Sequence, residues 1–338
     1  MGCATASTGW LPRPVVVRAE DGTLLGAAPA WVKQHSMGEF VYDHAWAEAA
    51  QRAGFAYYPK LIVGVPFTPA TGRRLLVHPD APKDAVQNAL VGGVLEAASD
   101  TTGVHVLFHP SEEAAAWAAH GFFPRLQSQF HWNNRLYETF DDFLGDLKSK
   151  TRANIRRERR ALDDLDISIE VSPGPETLDA LHRFHTQTVE QFGPWGRVYL
   201  NRDTFQRLGE VWGHRLHAVI ARREGEMIAG ALNILGEKTL YGRYWGCVEE
   251  RDFLHFEVCY YRTVEDAIAR GLQTFEPGHG GGHKYRRGFL PTITWSSHLL
   301  RDPRLHDAFQ RHATAEAVAV RAHVSELTDR CPLKSTKA

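Results

Sequence analysis

A stretch near the C-terminus combines backbone freedom with positive charge: FEPGHGGGHKYRRGFLPTITWSS, residues 275–297. Glycine has no Cβ, so backbone amides in a glycine-rich turn can approach a ligand and surround an anion or a developing oxyanion. Lys284, Arg286 and Arg287 follow the glycines directly. The stretch is therefore expected to be a substrate-contacting loop between two strands. The glycines expected at the substrate are Gly280, Gly281 and Gly282.

This basic cluster has two interpretations. Three consecutive glycines alone favour a flexible surface loop with solvated cations. The continuation from Lys284 to Pro291 favours a binding loop. In an extended segment, neighbouring side chains point to opposite sides, so only one of Arg286 and Arg287 should face the site. Replacing Lys284 by Met is expected to change stability by only about 0.5 kcal/mol, as for a surface residue.

Several side chains near this loop can exchange protons. Glu276 precedes the glycines, His279 and His283 lie among them, and Glu257 falls on a predicted helix. The two histidines are no helical pair because three glycines separate them, and no carboxylate completes a metal-ligand pattern. We therefore expect acid–base candidates here, namely Glu257, Glu276 and His283, and no metal.

The composition gives the protein no strong overall electrostatic field. The 338 residues carry a formal net charge of −1 and a pI near 7.0, so any polyanion must be bound by local patches. The four cysteines show no CxxC spacing, which predicts neither a zinc site nor a disulfide framework. No signal peptide is recognisable, and no apolar run approaches the roughly 20 residues that span a bilayer. We expect a cytoplasmic protein without membrane spans.

The first half alternates strand and helix patterns around the residues described above. Asp21-Gly22 between two apolar runs predicts a hairpin, and Asp43 is predicted to cap a helix that Gly54 ends. The resulting order, β-β-α-β-β-α-β-α-β, is typical of an α/β layer domain. The predicted strands are 14–19, 24–33, 57–67, 73–77, 104–108 and 130–136, and the helices are 43–53, 83–99 and 111–120.

A cationic helix over 140–165 is predicted to link this half to the next. Apolar residues at three- and four-residue spacing form its buried face, and a basic stripe runs beside them. The second half repeats the pattern of the first, which suggests a duplicated fold. Its predicted strands are 167–171, 216–222, 227–235, 239–245 and 292–300, and its helices are 176–191, 203–212, 254–269 and 302–327.

Four motifs are distributed along most of the chain, from residue 33 to residue 291. They are KQHSMGEFVYDHAWAEA (33–49), YYPKLIVGVPFTPATGRRLL (57–76), LYGRYWGC (240–247) and FEPGHGGGHKYRRGFLP (275–291). On these residues the chain resembles the bacterial FemAB-like family of peptidoglycan biosynthesis/recognition, relatives of the Fem-type peptidyltransferases. The resemblance implies an α/β protein with two tandem GNAT-like domains, the acyl-CoA N-acyltransferase fold, around a cleft.

The domains are predicted at 1–138 and 139–338, with the cationic helix linking them. Members of the family usually have a further helix before the Gly-Trp that matches Gly9-Trp10. We therefore expect the N-terminal domain to lack its first helix and to expose an apolar face.

The resemblance implies transfer of an aminoacyl group from charged tRNA, or of another activated acyl group, to an amine, forming an amide. Charged tRNA would be a co-substrate, a small molecule or peptide would supply the amine, and no bound cofactor is implied. Two alternatives stay open: an N-acyltransferase that uses acyl-CoA, and a non-catalytic module that recognises a cell-wall precursor. Residues 246–256 lack the glycine turn that holds a CoA pyrophosphate, which argues against the first alternative.

Particular residues acquire roles from the same resemblance. Lys284 matches the lysine that Fem-type enzymes place at the donor end of the cleft, where it would offset a phosphate or the oxyanion. Trp195 and the substrate-binding candidates Tyr244 and Trp245 are aromatic residues of the core or the cleft wall. The basic stripe either binds tRNA or is a solvated helix face. Its residues are Arg152, Arg156 and Arg160.

By analogy with Fem enzymes, the N-terminal domain would help to hold the acceptor. A helix cap, a turn and a satisfied strand pair explain the same residues at least as well. The residues concerned are Lys33, His35, Asp43, Tyr58 and Lys60.

Overall fold

The computed structural model describes residues 2–163, 165–171, 174–191 and 197–334, and Trp195 lies outside them. The chain forms two compact units. An N-terminal unit comprises Gly2–Ser128 and Ile293–Ser325, and a C-terminal unit comprises Gln129–Thr292 and the residues from Glu326 onward. Each unit thus combines separate stretches of chain, whereas the sequence prediction divides the chain once, after residue 138.

Strands and helices alternate along the described residues much as the sequence predicts. The strands are β1 (Leu11–Pro12), β2 (Val15–Arg18), β3 (Leu24–Ala28), β4 (Ala30–Lys33), β5 (Lys60–Val63), β6 (Leu76–Val77), β7 (Gly103–His109), β8 (Phe123–Asn133), β9 (Ile167–Val171), β10 (Leu216–Arg223), β11 (Glu226–Leu235), β12 (Thr239–Cys247), β13 (Thr274–Glu276) and β14 (Leu290–Leu300). The helices are α1 (His44–Arg52), α2 (Lys83–Ala97), α3 (Ala114–Ala118), α4 (Phe140–Asp146), α5 (Ser149–Asp163), α6 (Pro175–Glu190), α7 (Arg202–Trp212), α8 (Leu254–Phe256), α9 (Arg262–Ala269) and α10 (Pro303–Asp329).

The N-terminal unit is built on a sheet in which β1, β4, β5, β7 and β14 are neighbours in that order. β5 and β7 run parallel, and the other neighbours are antiparallel. β2, β3 and β6 form a second, small sheet, and the predicted hairpin is confirmed because β2 pairs with β3. Val86, Leu90 and Val94 of α2 are buried at the spacing that the sequence predicts for an amphipathic helix.

The C-terminal unit contains the sheet order β8-β13-β12-β11-β10-β9. β12 and β13 are parallel neighbours from Thr239 to Tyr241, opposite Thr274 to Glu276. β13 ends at Glu276, but β12 continues to Cys247. The second half of β12 therefore lies beside a loop rather than a strand on that side, and this divergence positions the candidate site.

The predicted single helix over 140–165 is wrong, because the structure has two helices, α4 and α5. Leu147 between them is extended, with φ −74° and ψ 146°. It forms a bridge with Leu333, and the Lys148 amide donates to the Pro332 carbonyl at 2.8 Å. Contacts with a segment far along the chain replace the helical hydrogen bonds here, so local periodicity does not reveal the break.

The predicted helix over 254–269 is present but is not uniformly α-helical. α8 continues through a π-helical turn, Glu257–Tyr261, into α9. A π turn adds one residue to a helical turn and changes which side chains share a face. Both Tyr260 and Tyr261 are buried as a result, and π turns of this kind are frequent at functional sites.

Candidate functional site

A recess opens in the C-terminal unit where β12 and β13 diverge. Its cavity volume is about 70 Å³. One wall is β12, another is the α8–π segment, and the floor includes Asn233 of β11. The pairing of β11 with β12 changes register at Leu232/Asn233, which is the position of this residue. The residues that line it include Asn233, Tyr244, Trp245, His255, Tyr260 and Pro277.

The glycine loop begins at this recess and has the backbone that the sequence predicts. Gly278, Gly280 and Gly281 have φ values of +84°, +76° and +85°, a region that L side chains avoid. A Cβ on Gly281 would lie 2.7 Å from the His283 ring. The expectation of a positive φ at Gly281 is confirmed.

Lys284 lies inside the protein, and its expected surface character is wrong. It is only 3% exposed. Its Nζ donates to the carbonyl oxygens of Gly278 at 2.8 Å, His279 at 3.3 Å and Pro277 at 3.4 Å. Burial lowers the pKa of Lys284 to about 8, against a smaller raising effect of Cys259. The lysine thus holds the loop closed, and it loses its proton at a lower pH than an ordinary lysine.

The two arginines after Lys284 have different environments, although the segment is not extended. Tyr285–Arg287 is a short 3-10 helix, so the argument from an extended strand is wrong. Arg287 is buried against Glu158, with nitrogen–oxygen distances of 2.8 and 2.9 Å, and its guanidinium lies 3.3 Å from the centre of the Phe256 ring. Arg286 is exposed and lines a second recess of about 300 Å³ with Arg157.

A tyrosine–histidine pair connects the first recess with the glycine loop. The Tyr260 hydroxyl lies 2.9 Å from His283 Nε2. Burial raises the pKa of Tyr260 well above its usual range. Burial first, and then the proximity of His283 and Lys284, lower the pKa of His255 to about 4, and burial likewise lowers the pKa of His283. At neutral pH the tyrosine is a proton donor, and both imidazoles are uncharged.

The two predicted carboxylates do not line this recess. Glu257 Oε1 lies 2.9 Å from Arg159 Nη2 of α5. Burial raises the pKa of Glu257, and Arg159 opposes that shift. Glu276 is buried with its carboxylate 4.0 Å from His131 Nε2. The structure therefore places His283 against Tyr260 and Lys284 against the Pro277 carbonyl, two residues that line the recess. It places Glu257 in an ion pair with Arg159 and Glu276 beside His131, away from the recess.

The basic stripe on α5 is partly engaged in local contacts. Arg152 Nη1 donates to the Leu147 carbonyl at 3.0 Å, which helps to end α4. Arg156 Nη2 lies 3.6 Å from Asp141. Arg156, Arg157 and Arg160 are exposed. The outer part of the stripe is therefore available to a polyanion.

The N-terminal unit contains a buried cluster of charges, which we call the lysine cluster: Lys33, Glu39, Asp43 and Lys60. Lys60 Nζ lies 2.7 Å from Glu39 and 2.5 Å from Asp43. Lys33 Nζ donates to the Met37 carbonyl at 2.7 Å and lies 3.8 Å from Glu39. Both lysine side chains have no exposed surface, so no ligand can reach their ammonium groups in this conformation.

Asp43 lies at the predicted N-cap position of α1, but its side chain does not make the predicted capping hydrogen bond. Its carboxylate instead accepts hydrogen bonds from Lys60 and from the Tyr57 hydroxyl at 2.7 Å. Tyr58 and His35 make local contacts: the Tyr58 hydroxyl lies 2.8 Å from Ser36 Oγ, and His35 Nδ1 accepts from the Met37 amide at 3.1 Å. These contacts favour a structural role for the residues that were predicted to hold the acceptor substrate.

Neither metal ligands nor membrane spans are found in the part of the chain that the structure describes. Residues 2–163, 165–171, 174–191 and 197–334 contain no group of three or more His, Cys, Asp or Glu side chains arranged for a metal ion. Across the same residues, every helix is too short or too polar to cross a bilayer.

The family of the chain follows from its sequence as a whole. A model of the FemAB-like family, described as peptidoglycan biosynthesis/recognition, matches residues 1–335. The chain belongs to the FemAB-like family. A comparison with curated proteins gives no match.

Solved structures share the fold of this FemAB-like protein at low sequence identity. A crystal structure of FemX has a TM-score of 0.56 at 13% identity and covers 91% of this chain and 92% of its own. L-PGS from Bacillus licheniformis has a TM-score of 0.53 at 11% identity, and the match covers 88% of each chain. The C-terminal domain of a putative lysylphosphatidylglycerol synthetase from Agrobacterium fabrum has a TM-score of 0.50 at 11% identity. This match covers 91% of this chain and 89% of the other. The predicted α/β fold class is confirmed, and the fold is shared with FemX and L-PGS.

Sequence reasoning missed several residues of the FemAB-like site. Tyr260 looks like one more apolar position on an amphipathic helix, and Asn233 lies in the middle of a buried strand. Glu158 is one acid in a run of arginines, RRERR. A signal existed only for Glu158 and Asn233, because a polar residue in an otherwise buried stripe or strand needs a partner.

Proposed function

We propose that the C-terminal unit transfers an aminoacyl group from charged tRNA to an amine and forms an amide. The observation that carries the proposal is the position of Lys284. Its side chain is buried, and its Nζ donates to the carbonyl oxygens of Gly278 and of Pro277, the residue before the glycine loop that lines the aromatic recess. Membership of the FemAB-like family supports the same reaction class.

The reaction needs an uncharged amine, a stabilised oxyanion and a proton for the leaving group. The amine nitrogen attacks the ester carbonyl, and the carbonyl oxygen becomes an oxyanion. Positive charge on Lys284 stabilises that oxyanion through the low-dielectric interior. When the intermediate collapses, the bond to the ribose oxygen breaks and the amide forms.

The Tyr260–His283 pair is suited to the proton transfer in this reaction. The attacking amine must lose one proton, and the departing ribose oxygen must gain one, so no net proton is consumed. His283 is uncharged at neutral pH and accepts through Nε2, while the Tyr260 hydroxyl donates. Tyr260 lines the recess, which lets the pair relay the proton between the two substrates.

The second recess and the α5 stripe suit the polyanionic part of such a donor. Arg157 and Arg286 line the second recess, and Arg156 and Arg160 are exposed on α5. An acyl-CoA donor is the second candidate, but the chain between β12 and α8 carries Glu249 and Glu250 in place of a glycine turn for pyrophosphate.

A donor-consumption assay tests the proposal. The full chain is incubated with bulk aminoacyl-tRNA or acetyl-CoA and a muropeptide amine, and loss of the charged ester or thioester is followed. We expect consumption of aminoacyl-tRNA that RNase treatment abolishes. Consumption of acetyl-CoA instead would establish the acyl-CoA alternative. Tight muropeptide binding without loss of either donor would establish the non-catalytic alternative.

The salt dependence of tRNA binding tests the stripe independently of turnover. Changing Arg156 and Arg160 together to Gln should reduce the slope of log K against log salt by roughly 0.7–0.9 for each lost phosphate contact. Arg207→Gln is the matched control, since Arg207 is an exposed arginine on α7 that pairs with Glu210. An unchanged slope in the double variant would assign the stripe to solvation.

A further inference from the structure

We infer that Arg287 and Glu158 are positioning residues for the Tyr260–His283 pair. That pair relays the proton in the proposed function, on which this inference rests. Neither Arg287 nor Glu158 needs to touch a substrate for this role. Arg287 acts through the backbone of His283, and Glu158 acts through Arg287.

The Arg287 guanidinium is held by three neighbouring side chains. Its Nη2 lies 2.8 and 2.9 Å from the two carboxylate oxygens of Glu158, and its Nε donates to the Tyr261 hydroxyl at 2.8 Å. Its central carbon lies 3.3 Å from the centre of the Phe256 ring. Tyr261 in turn donates to Glu158. Arg287 is 7% exposed and Glu158 8%, so water competes little for these bonds.

The remaining guanidinium nitrogen fixes the backbone of the glycine loop. Arg287 Nη1 donates to the carbonyl oxygen of His283 at 2.9 Å. A guanidinium is planar and its donors have fixed directions, so this bond places the carbonyl relative to Glu158. The loop needs such a contact, because the glycines before His283 give the backbone little conformational preference of its own. Arg287 therefore also restrains the His283 ring, whose Nε2 lies 2.9 Å from the Tyr260 hydroxyl.

The π turn brings the two sets of contacts together. Tyr260 and Tyr261 are neighbours in this turn, and both are buried. Tyr260 contacts His283, and Tyr261 contacts Arg287. The extra residue of a π turn changes which side chains share a face, which lets two adjacent tyrosines meet the same loop. A displacement of Arg287 should therefore displace His283 relative to Tyr260.

The charge of Arg287 also acts on His283 directly. Burial first, and then Lys284 and Arg287, lower the pKa of His283. The Glu158 carboxylate opposes the Arg287 charge, since the two groups form a close ion pair. Removing the Arg287 charge should therefore raise the pKa of His283, and removing the Glu158 charge should lower it. The other charged or titratable groups around His283 are unchanged in both cases; they are Tyr260 and His255 on the α8–π segment, Lys284 in the loop, and Arg157 and Arg286 at the second recess.

Titration of His283 followed by NMR tests the inference without any substrate. The full chain is isotopically labelled at histidine, and the His283 resonance is assigned by its absence from the His283→Gln variant. Its titration is measured in wild type, Arg287→Met and Glu158→Gln. Donor consumption is measured for the same proteins, and circular dichroism verifies that each of them folds.

The N-terminal unit offers a matched control. Arg125 lies 2.7 and 3.0 Å from the two carboxylate oxygens of Glu316, donates to the Tyr42 carbonyl at 2.9 Å and lies 4.6 Å from the centre of the Trp46 ring. These contacts are of the same kind as those of Arg287, but they have no part in the proposed relay. Arg125→Met and Glu316→Gln should therefore leave the His283 titration and the turnover as in wild type.

We expect Arg287→Met to raise the pKa of His283 and Glu158→Gln to lower it. Turnover should fall about tenfold to a hundredfold in both variants, the scale of misplacing a reacting group by about 1 Å. In Glu158→Gln the KM for the donor should not rise, because this change removes no cation from the second recess. A lower kcat without a higher KM identifies an effect on the reaction rather than on binding.

A purely structural role predicts a different result. If both changes merely loosened the loop and admitted water, the effect of burial would weaken and the pKa of His283 would rise in both variants. That result, an unchanged titration, or wild-type turnover in Glu158→Gln would overturn the inference. If Arg287→Met does not fold, the direction of the shift in Glu158→Gln alone decides.

These outcomes are separate from those of the proposed function. Absence of donor consumption by the wild type would overturn the proposed function. The titration would still decide whether Arg287 and Glu158 position His283, since it is measured without donor or acceptor.

Discussion

Lys60 and Lys284 are both buried lysines, one in each unit, and their partners differ. Burial opposes the charge of Lys60, but Glu39 and Asp43 outweigh it and raise the pKa of that lysine. Lys284 has only carbonyl oxygens as hydrogen-bond partners among the described contacts, and burial lowers its pKa to about 8. The carboxylates around Lys60 keep that lysine charged as part of a structural ion-pair cluster. Lys284 keeps a charge that can respond to a reacting group.

The largest expected effect tests the structural half of this comparison. Lys60→Met leaves Glu39 and Asp43 buried without their main partner, which should lower the free energy of unfolding by about 3–5 kcal/mol. Urea denaturation followed by tryptophan fluorescence measures it. Adding Glu39→Gln and Asp43→Asn should recover part of the loss. A loss below about 1 kcal/mol in the single variant would mean that the cluster relaxes or hydrates easily.

The second prediction tests the functional half. Lys284→Met leaves three carbonyl oxygens without their N–H donor and should lower the free energy of unfolding by about 1–3 kcal/mol. Donor consumption should fall by on the order of a hundredfold, as when one oxyanion-stabilising group is removed.

Lys284→Arg is the control for this change, since it retains the charge in a different shape. The comparison between the two lysines fails if Lys284→Met consumes donor at the wild-type rate. In that case Lys284 would be a structural residue like Lys60, and the non-catalytic alternative would be favoured.

The smallest effect is a difference in pH dependence. Because the pKa of Lys284 is lowered to about 8 in the folded chain and is about 10.4 when unfolded, the unfolded chain binds more protons at this residue between these values. The stability of wild type relative to Lys284→Met should therefore rise as pH increases through this window. Lys33, whose pKa is also lowered to about 8, contributes equally to both proteins and cancels.

The contribution of Lys60 to the free energy of unfolding changes with pH in the opposite direction. Its raised pKa means that the stabilisation is complete at neutral pH and is lost only as pH rises beyond the ordinary lysine range. Denaturant titrations of wild type, Lys60→Met and Lys284→Met from pH 7 to well above the ordinary lysine pKa of about 10.4 would reveal both slopes. Parallel curves for the two variants would contradict the assignment of different partners.

Features that depend on short stretches of sequence were predictable. The hairpin at Asp21-Gly22, the buried face of α2 and the strand Ile167–Val171 follow from turn chemistry and periodicity. The positive φ at Gly281 follows from the run of glycines. Long motifs also identified the family, whose model matches residues 1–335.

The tertiary structure alone decided which partner each charged side chain has. Glu158 and Arg287 are 129 residues apart in the chain, and Leu147 pairs with Leu333 in place of continuing a helix. Periodicity reports which face of a segment is apolar, but a buried charge takes whichever partner folding brings within hydrogen-bond distance. For that reason the sequence determined that Lys284 follows a glycine turn, and only the fold determined that its ammonium group points inward and holds that turn closed.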